Sequence, residues 1–516
     1  MVLFCFLFIY TTFLSATASH NILMITMGGT RSHKVPFIEL ANGLSSKGHN
    51  VTLYSAFPED TEAKFAEVIP MELMYYVNNF TNRDLVGPRI LGTEPISLLE
   101  AFIFGYKVCE AALSDPKTLS LLSRPADVLI LDGAYPECAA GLVFHFNKPF
   151  ILLNTVGFYT GSMSLAGSPA IYSVTPYFGF PHSDDMNLWE RFLNAIWSFG
   201  ISVGHKFLVL NFIDPIIRSY LGDNTPSAHE VLKNVSFILQ NGHFSVSYPR
   251  PYLPGVAEIA CMHCKPTKPL PLYLEEFVTG GLGNGFVYVS MGSSVRAVNM
   301  PAYLRQTMIR VFSELPFQIL WKWEADPENI DDLPKNVLLG KWLPQQDLLG
   351  HPKIKAFVSH GGLLSLYESA YHAVPVVAMP VFFDHECNAH KAEKDGYALK
   401  LHLKGITYEK FLGAIMTVID DPKYKINAIL RSTLLKDQPE PPLERAIYWI
   451  EYVLRHSGAY HLQSPARNLN FFQYYMIDIL IIIMLALLVA FKLLKLIIRL
   501  LKRTFLYKNK KKFKKS

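Results

Sequence analysis

Apolar and polar positions in this chain come in blocks. Short, continuous apolar runs recur, each followed by a glycine or serine turn and then by a segment with helical spacing. Residues 21–27 are apolar, Gly28 and Gly29 follow, 35–44 has helical spacing, Gly48 closes it, and 51–54 is strand-like again. That order predicts a βαβ opening. Residues 127–131 and 150–153 read as further parallel strands, buried on both faces. Six prolines within 249–271 argue against regular structure and predict a linker. The pattern then restarts, with strands expected at 286–290, 318–322, 337–339, 356–358 and 376–379, and a helical segment at about 408–456. The expectation is an α/β chain of two domains, 20–248 and 272–465, joined by that linker. Ligands in open α/β sheets bind beyond the carboxyl ends of the strands, so two such sheets can share a cleft.

Both ends depart from this pattern. Residues 2–14 form an apolar run that ends in Ala16-Thr17-Ala18, the shape of a signal peptide (1–19) with an A-x-A cleavage site, although a basic n-region is missing. Residues 471–491 are apolar or aromatic apart from Gln473 and Asp478. That length suits one bilayer crossing, and Phe471, Phe472, Tyr474 and Tyr475 resemble an interfacial aromatic belt. Eleven basic and no acidic residues follow, from Lys492 to Lys515. The positive-inside rule places this tail (492–516) in the cytosol. The chain then reads as a single-pass type I membrane protein with a lumenal body. Its last five residues, KFKKS, match a K-x-K-x-x signal for return to the endoplasmic reticulum; a basic anchor for anionic lipid is the alternative.

The formal net charge of +5 belongs to that tail. The remainder holds 37 basic against 43 acidic residues, a net −6, which gives no nucleic-acid footprint. Cys5 leaves with the signal peptide, and Cys109, Cys138, Cys261, Cys264 and Cys387 are too few for a disulfide scaffold. Cys261-Met262-His263-Cys264 has redox or zinc half-site spacing but no second pair, so structural cysteines are expected. Sequons occur at Asn50, Asn79 and Asn234. Asn50 falls in a strand expected to be buried, which leaves Asn79 and Asn234 as the glycan sites. The glycine-rich 280–285 precedes a strand rather than following one, so it reads as a loop; no Walker A sequence is present.

The stretch FVSHGGLLSLYESAYHAVPVVAMP (357–380) carries the clearest local chemistry. A strand over 356–358 turns at Ser359-His360-Gly361-Gly362, and a helix starts near Leu363. Free N–H groups and the positive dipole end make that start an anion site, with Ser365 and His360 as added donors. Glu368, a turn further on, would repel a phosphate but accepts hydrogen bonds from vicinal hydroxyls. Together they suggest a nucleotide. Asp384-His385-Glu386-Cys387-Asn388-Ala389-His390 nearly spells H-E-x-x-H, but its histidines are five apart and diverge on a helix, so no metal site is expected.

Residues 342–390, WLPQQDLLGHPKIKAFVSHGGLLSLYESAYHAVPVVAMPVFFDHECNAH, resemble the signature of the UDP-glycosyltransferases of the UDP-glucuronosyltransferase superfamily. YPRPYLP (248–254), HCKPTKPLP (263–271) and FVYVSMGSS (286–294) extend the likeness. The resemblance implies two facing Rossmann-like domains (the GT-B fold) plus the C-terminal transmembrane helix, and an inverting, metal-independent hexose transfer. The donor UDP-sugar is a co-substrate and no cofactor is implied. Trp342 would stack on the uracil and Gln345 would contact the nucleoside. Ser293, Ser359 and His360, with Gly361, Gly362 and Ser365 of the turn, would hold the diphosphate. Glu368 would bind the ribose, and Asp384 and His385 the sugar hydroxyls. His385 stands where the family usually has Gln, and Leu364 where many members have Asn. The sequence looks invertebrate, which favours UDP-glucose; UDP-glucuronate and UDP-galactose are the alternatives. The partner would be a small lipophilic acceptor, in keeping with detoxification, and a homo-oligomer is compatible with the sequence.

Transfer to a hydroxyl needs a base, and histidine suits neutral pH. His33, in MGGTRSHKVPF, follows the first glycine turn. The family places its catalytic histidine there and pairs it with an aspartate at the end of a later strand. Asp132, in ADVLILDGAYPECAA, fits that place; a helix N-cap is the plainer alternative. A binding protein that has lost catalysis and a UDP-sugar hydrolase are the competing readings.

Overall fold

The computed structural model describes residues 19–513, apart from 60–62, 158–160, 169–170, 178, 181, 282 and 326–332. The expected signal peptide, save its last residue, and the last three residues of the expected retrieval signal lie outside the described residues. The chain divides into two compact units, Met1–Gln463 and Ser464–Ser516.

The first unit holds two fully parallel sheets. Seven strands form the first: Asn21–Thr26 (β1), Asn50–Ser55 (β2), Ala66–Val68 (β3), Val128–Asp132 (β4), Phe150–Asn154 (β5), Phe237–Gln240 (β6) and Val256–Glu258 (β7). Their spatial order is β3-β2-β1-β4-β5-β6-β7. The second sheet holds Phe286–Ser290 (β8), Gln318–Lys322 (β9), Val337–Gly340 (β10), Ile354–Ser359 (β11), Val376–Ala378 (β12) and Ala398–Lys400 (β13), in the order β10-β9-β8-β11-β12-β13. Both orders reverse beside their first strand, between β1 and β4 and between β8 and β11. Each reversal opens a crevice at the carboxyl ends of its strands. The central strands are buried on both faces, as their continuous apolar runs require. Two Rossmann-like domains of the GT-B kind result.

Three expectations need correction. The proline-rich 249–271 is not wholly a linker: Val256–Glu258 pairs with β6 at the edge of the first sheet, where the flanking prolines cost no ladder bonds. The closing helices do not all belong to the second domain. Ala446, Ile447, Ile450 and Val453, from helix Pro442–Arg455, pack into the first domain's core beside Phe37, Leu40 and Ile22. Asn50 is exposed at the start of β2, where its side-chain amide donates to Asn21 Oδ1 at 2.9 Å. Asn79 and Asn234 are exposed as well. Four cysteines pair, Cys109 with Cys138 and Cys261 with Cys264, and Cys387 is buried and free.

The second unit contains the short helix Phe471–Tyr474 and the 37-residue helix Ile477–Phe513. The break at Met476, with φ 53°, separates them. The long helix does not stop at residue 491 but runs on through the basic tail, for roughly 55 Å at 1.5 Å per residue. Its Ile477–Tyr507 part contains an 18-residue stretch of mean hydropathy 2.8 and is long and apolar enough to cross a membrane.

Candidate functional site

The two crevices open on one cavity of about 330 Å³, lined from both sheets. From the first domain come His33, beyond β1, and Tyr135, Thr155 and Val156, beyond β4 and β5. Phe80, Leu85, Ile96 and Phe104 add an apolar wall from the helical region between β3 and β4. From the second domain come Ser290, Gly292, Ser293, Ser294, Trp342, Gln345, residues 362–365, Glu368, and residues 382–385.

Parallel pairing places Ile25 beside Leu131, so the ends of β1 and β4 lie side by side. That brings His33 and Asp132 together across 99 residues, with Nδ1 3.0 Å from Asp132 Oδ2. Asp132 is buried and does not reach the cavity wall. It also accepts from Thr155 Oγ1 at 2.9 Å, Thr26 Oγ1 at 3.2 Å and the Ala134 N–H at 3.0 Å. Its helix N-cap alternative does not hold, since helix Glu137–Phe146 starts at Pro136 without a side-chain cap. An ionised carboxylate only accepts, so Nδ1 carries the proton and Nε2 is the free acceptor. Burial lowers the His33 pKa, but the charge and hydrogen bond of Asp132, helped by Asp384, outweigh it and hold it above the usual value. Gly29 (φ +77°) cannot take a side chain, because a Cβ there would sit 2.7 Å from the His33 ring.

On the opposite side, β11 and β8 bring Ser359 beside Ser290. The helix Leu363–Tyr371 follows with no side-chain cap at Gly362, which leaves its first-turn N–H groups for an anion. His360 is buried, and burial with the nearby Lys322 charge pulls its pKa down to about 3, so the ring is neutral. Its Nδ1 has no hydrogen-bond partner among the described residues. A Cβ on Gly362 would lie 2.3 Å from its Nε2. His385 stacks edge-on against it at 4.6 Å, and burial pulls its pKa down too. Asp384 accepts from Asn388 at 2.8 Å and is pushed up by burial. Trp342 is 68% exposed, with Arg31 and Lys322 at 5.4 and 5.9 Å from its ring. Each cation is paired, Arg31 with Glu59 at 3.0 Å and Lys322 with Glu324 at 2.7 Å.

Of the residues expected at the donor site, Ser293, Trp342, Gln345, His360, Gly362, Ser365, Glu368, Asp384 and His385 all line the cavity, as does Leu364. Two do not. Ser359 ends its strand fully buried, with Oγ accepting the Gly361 N–H at 3.3 Å, and Gly361 (φ +80°) turns the chain behind the wall. His390 lies by Lys400, 3.5 Å from its Nζ, and away from His385. Sequence reasoning also missed His263. Its buried Nε2 lies 3.3 Å from Glu368 Oε1 but off the N–H axis, so the ring packs beside that carboxylate without an aligned hydrogen bond. Gln345 holds the other Glu368 oxygen through its side-chain amide and takes the Tyr288 hydroxyl at 3.2 Å. Thr155 was missed as well, although a polar residue just past a central strand was a signal that could have found it; His263 had no such signal.

The sequence matches the family described as UDP-glucoronosyl and UDP-glucosyl transferase over residues 44–512. It is 30% identical to UDP-glucosyltransferase 2 of Dactylopius coccus, over 86% of this chain and 85% of that one. It is 36% identical to human UDP-glucuronosyltransferase 2B17, over 73% and 70%. Among solved structures, the glycotransferase of kitacinnamycin superposes with a TM-score of 0.59 at 17% identity, over 85% of this chain and all of that one. CalG4, the calicheamicin glycosyltransferase, gives 0.56 at 16%, with the same coverage.

Proposed function

The chain belongs to the UDP-glucuronosyl and UDP-glucosyl transferase family, and from that premise we propose that it moves a neutral hexose from a UDP-sugar to a hydroxyl of a small lipophilic acceptor. The observation that carries this reading is the placement of a carboxylate-backed histidine and an uncapped helix start on opposite walls of one cavity. The acceptor lies against Phe80, Leu85, Ile96 and Phe104, with its hydroxyl at His33 Nε2. The donor lies along the second domain: uracil on Trp342, ribose hydroxyls on Glu368, diphosphate at Ser293, His360 and the first turn after Gly362, and the hexose near Asp384 and His385.

His33 takes the hydroxyl proton as the oxygen attacks the anomeric carbon from the face opposite the diphosphate. A single displacement inverts that carbon. Asp132 holds the Nδ1–H tautomer and stabilises the imidazolium. The leaving UDP gains charge where the N–H groups converge, and neutral His360 donates one hydrogen bond there. No step is assigned to a metal.

UDP-glucose is favoured over UDP-glucuronate because, among the described residues, both cations lining the cavity are paired with carboxylates and lie at Trp342, whereas Asp384 stands at the hexose end. A hexuronate would meet that carboxylate without a free counter-charge. The terminal helix anchors the chain as a type I protein of the endoplasmic reticulum, with glycans on Asn79 and Asn234; the two disulfides support an oxidising compartment.

Membranes carrying the chain, given each UDP-sugar with a mixed aglycone panel, are expected to yield products heavier by one neutral hexose. A hexuronate increment overturns the donor assignment. UDP release independent of acceptor points to hydrolysis instead, and a His33→Ala chain as fast as the parent overturns the base.

A further inference from the structure

Residues 82–96 connect two helices of the first domain, Met71–Thr81 and Leu98–Ser114, which pack into that domain's core through Leu73, Val77, Phe104 and Val108. The segment between them does otherwise. Leu85 and Val86 are buried in the second domain's core, in one cluster with Met291, Val295 and Phe382, and Ile90 and Ile96 pack against the same cluster. Its polar contacts reach across as well. Asn82 Oδ1 accepts from Arg296 at 2.6 Å and from Asn299 at 3.4 Å. Arg89 Nη2 donates to Glu386 Oε2 at 2.9 Å, while Glu94 of the same segment takes Nη1 and holds the guanidinium fork in place. Gly92 lies under the Lys404 side chain, where a Cβ would stand 2.9 Å from it. By chain order the segment belongs to the first domain; by packing it belongs to the second.

We propose that Arg89 is a positioning residue for the transfer: it fastens 82–96 to the second domain and so sets part of the acceptor wall against the hexose end of the donor. The proposal rests on the reading that the acceptor lies against Phe80, Leu85, Ile96 and Phe104. Leu85 and Ile96 are carried by the fastened segment. Glu386 follows His385, which lines the cavity, at the start of helix His385–Lys394. The ion pair therefore ties the acceptor wall to the helix start that faces the sugar. Neutralising Glu386 does not require Arg89, since Lys400 of β13 already donates to its Oε1 at 3.0 Å. The Arg89 side chain is 20% exposed and that of Glu386 9%, so solvent ions screen the pair little. Acceptor choice is then a property of both domains, fixed in part by a side chain that touches no substrate.

The test uses the full chain, with UDP-glucose as donor and 1-naphthol, a small lipophilic phenol, as the acceptor probe. Arg89→Met keeps the length of the side chain and removes its charge. Its kcat/KM for 1-naphthol is expected to fall about 5- to 20-fold, as misplacement of an acceptor does, while the KM for UDP-glucose stays within about twofold of the parent's. Arg89→Lys, which keeps the charge, is expected to recover part of the loss. Hydrogen exchange reads the fastening without turnover: amides of Val86–Leu91 are expected to exchange about 10-fold faster in Arg89→Met, and those of Met71–Thr81 and Leu98–Ser114 at the parent's rate. Unchanged exchange overturns the fastening. Faster exchange with unchanged kcat/KM overturns the positioning, as does a loss that falls equally on UDP-glucose. Leu85→Ala and Ile96→Ala shorten the wall itself; if neither moves the 1-naphthol kinetics, the acceptor placement is what fails, and the exchange rates still decide the fastening.

Discussion

Asp132→Asn is the sharpest perturbation of the proposed chemistry, because it keeps the shape of a side chain that accepts four hydrogen bonds while removing its charge and turning one acceptor oxygen into a donor. A hydrogen bond to a charged group contributes about 1.5–3 kcal/mol. Losing that as the imidazolium forms slows transfer by about 10- to 150-fold. The amide also lets Nδ1 accept, which puts the proton on Nε2 and worsens the base. The pH profile carries the stronger prediction. His33 acts only when unprotonated, so kcat/KM falls as pH drops through its free-enzyme pKa. In the parent chain Asp132 holds that value above the ordinary histidine value. Without the carboxylate the lowering effect of burial meets only the weaker pull of Asp384, so the acid limb moves to lower pH. The assay is kcat/KM across pH, with a non-ionising acceptor and product read by mass. A variant within twofold of the parent, or an acid limb that stays or moves up, refutes the pairing.

Further outcomes follow from other contacts. His263→Ala removes the buried ring packed beside Glu368 and is expected to raise the KM for the UDP-sugar with kcat little changed, and His263→Gln to recover part of it, by steady-state kinetics. Gly362→Ala keeps an ordinary φ but drives a methyl into His360. It should weaken UDP binding by about 1–3 kcal/mol in titration calorimetry. Replacing Cys109 and Cys138 together by alanine opens a bridge that spans 29 residues. It should cost about 3–4 kcal/mol of stability, seen as a lower urea midpoint.

The strands that carry the site were legible because each is a run of apolar residues ending at a polar or glycine turn, and central parallel strands need that composition. β3, β7 and β13, of three residues each, were not, since edge strands that short leave no period to read, and the four-residue interior strand β6 was missed as well. Ser359 and Gly361 were misplaced for a geometric reason. The last strand residue still follows the pleat into the core, so the wall takes the residue after it, His360. His263 was invisible because its meaning lies in Glu368, 105 positions away, and only the fold joins them.

The return of helix Pro442–Arg455 to the first domain means that the chain crosses between the two sheets twice, once after Cys264 and once near residues 437–441. Anyone building chimaeras should therefore treat the first domain as a discontinuous segment. A donor module exchanged at a single junction after residue 271 would bring a foreign 442–463 onto the host's helix Arg31–Ser46, the helix that carries His33. An exchange that ends near 437 leaves that seam native.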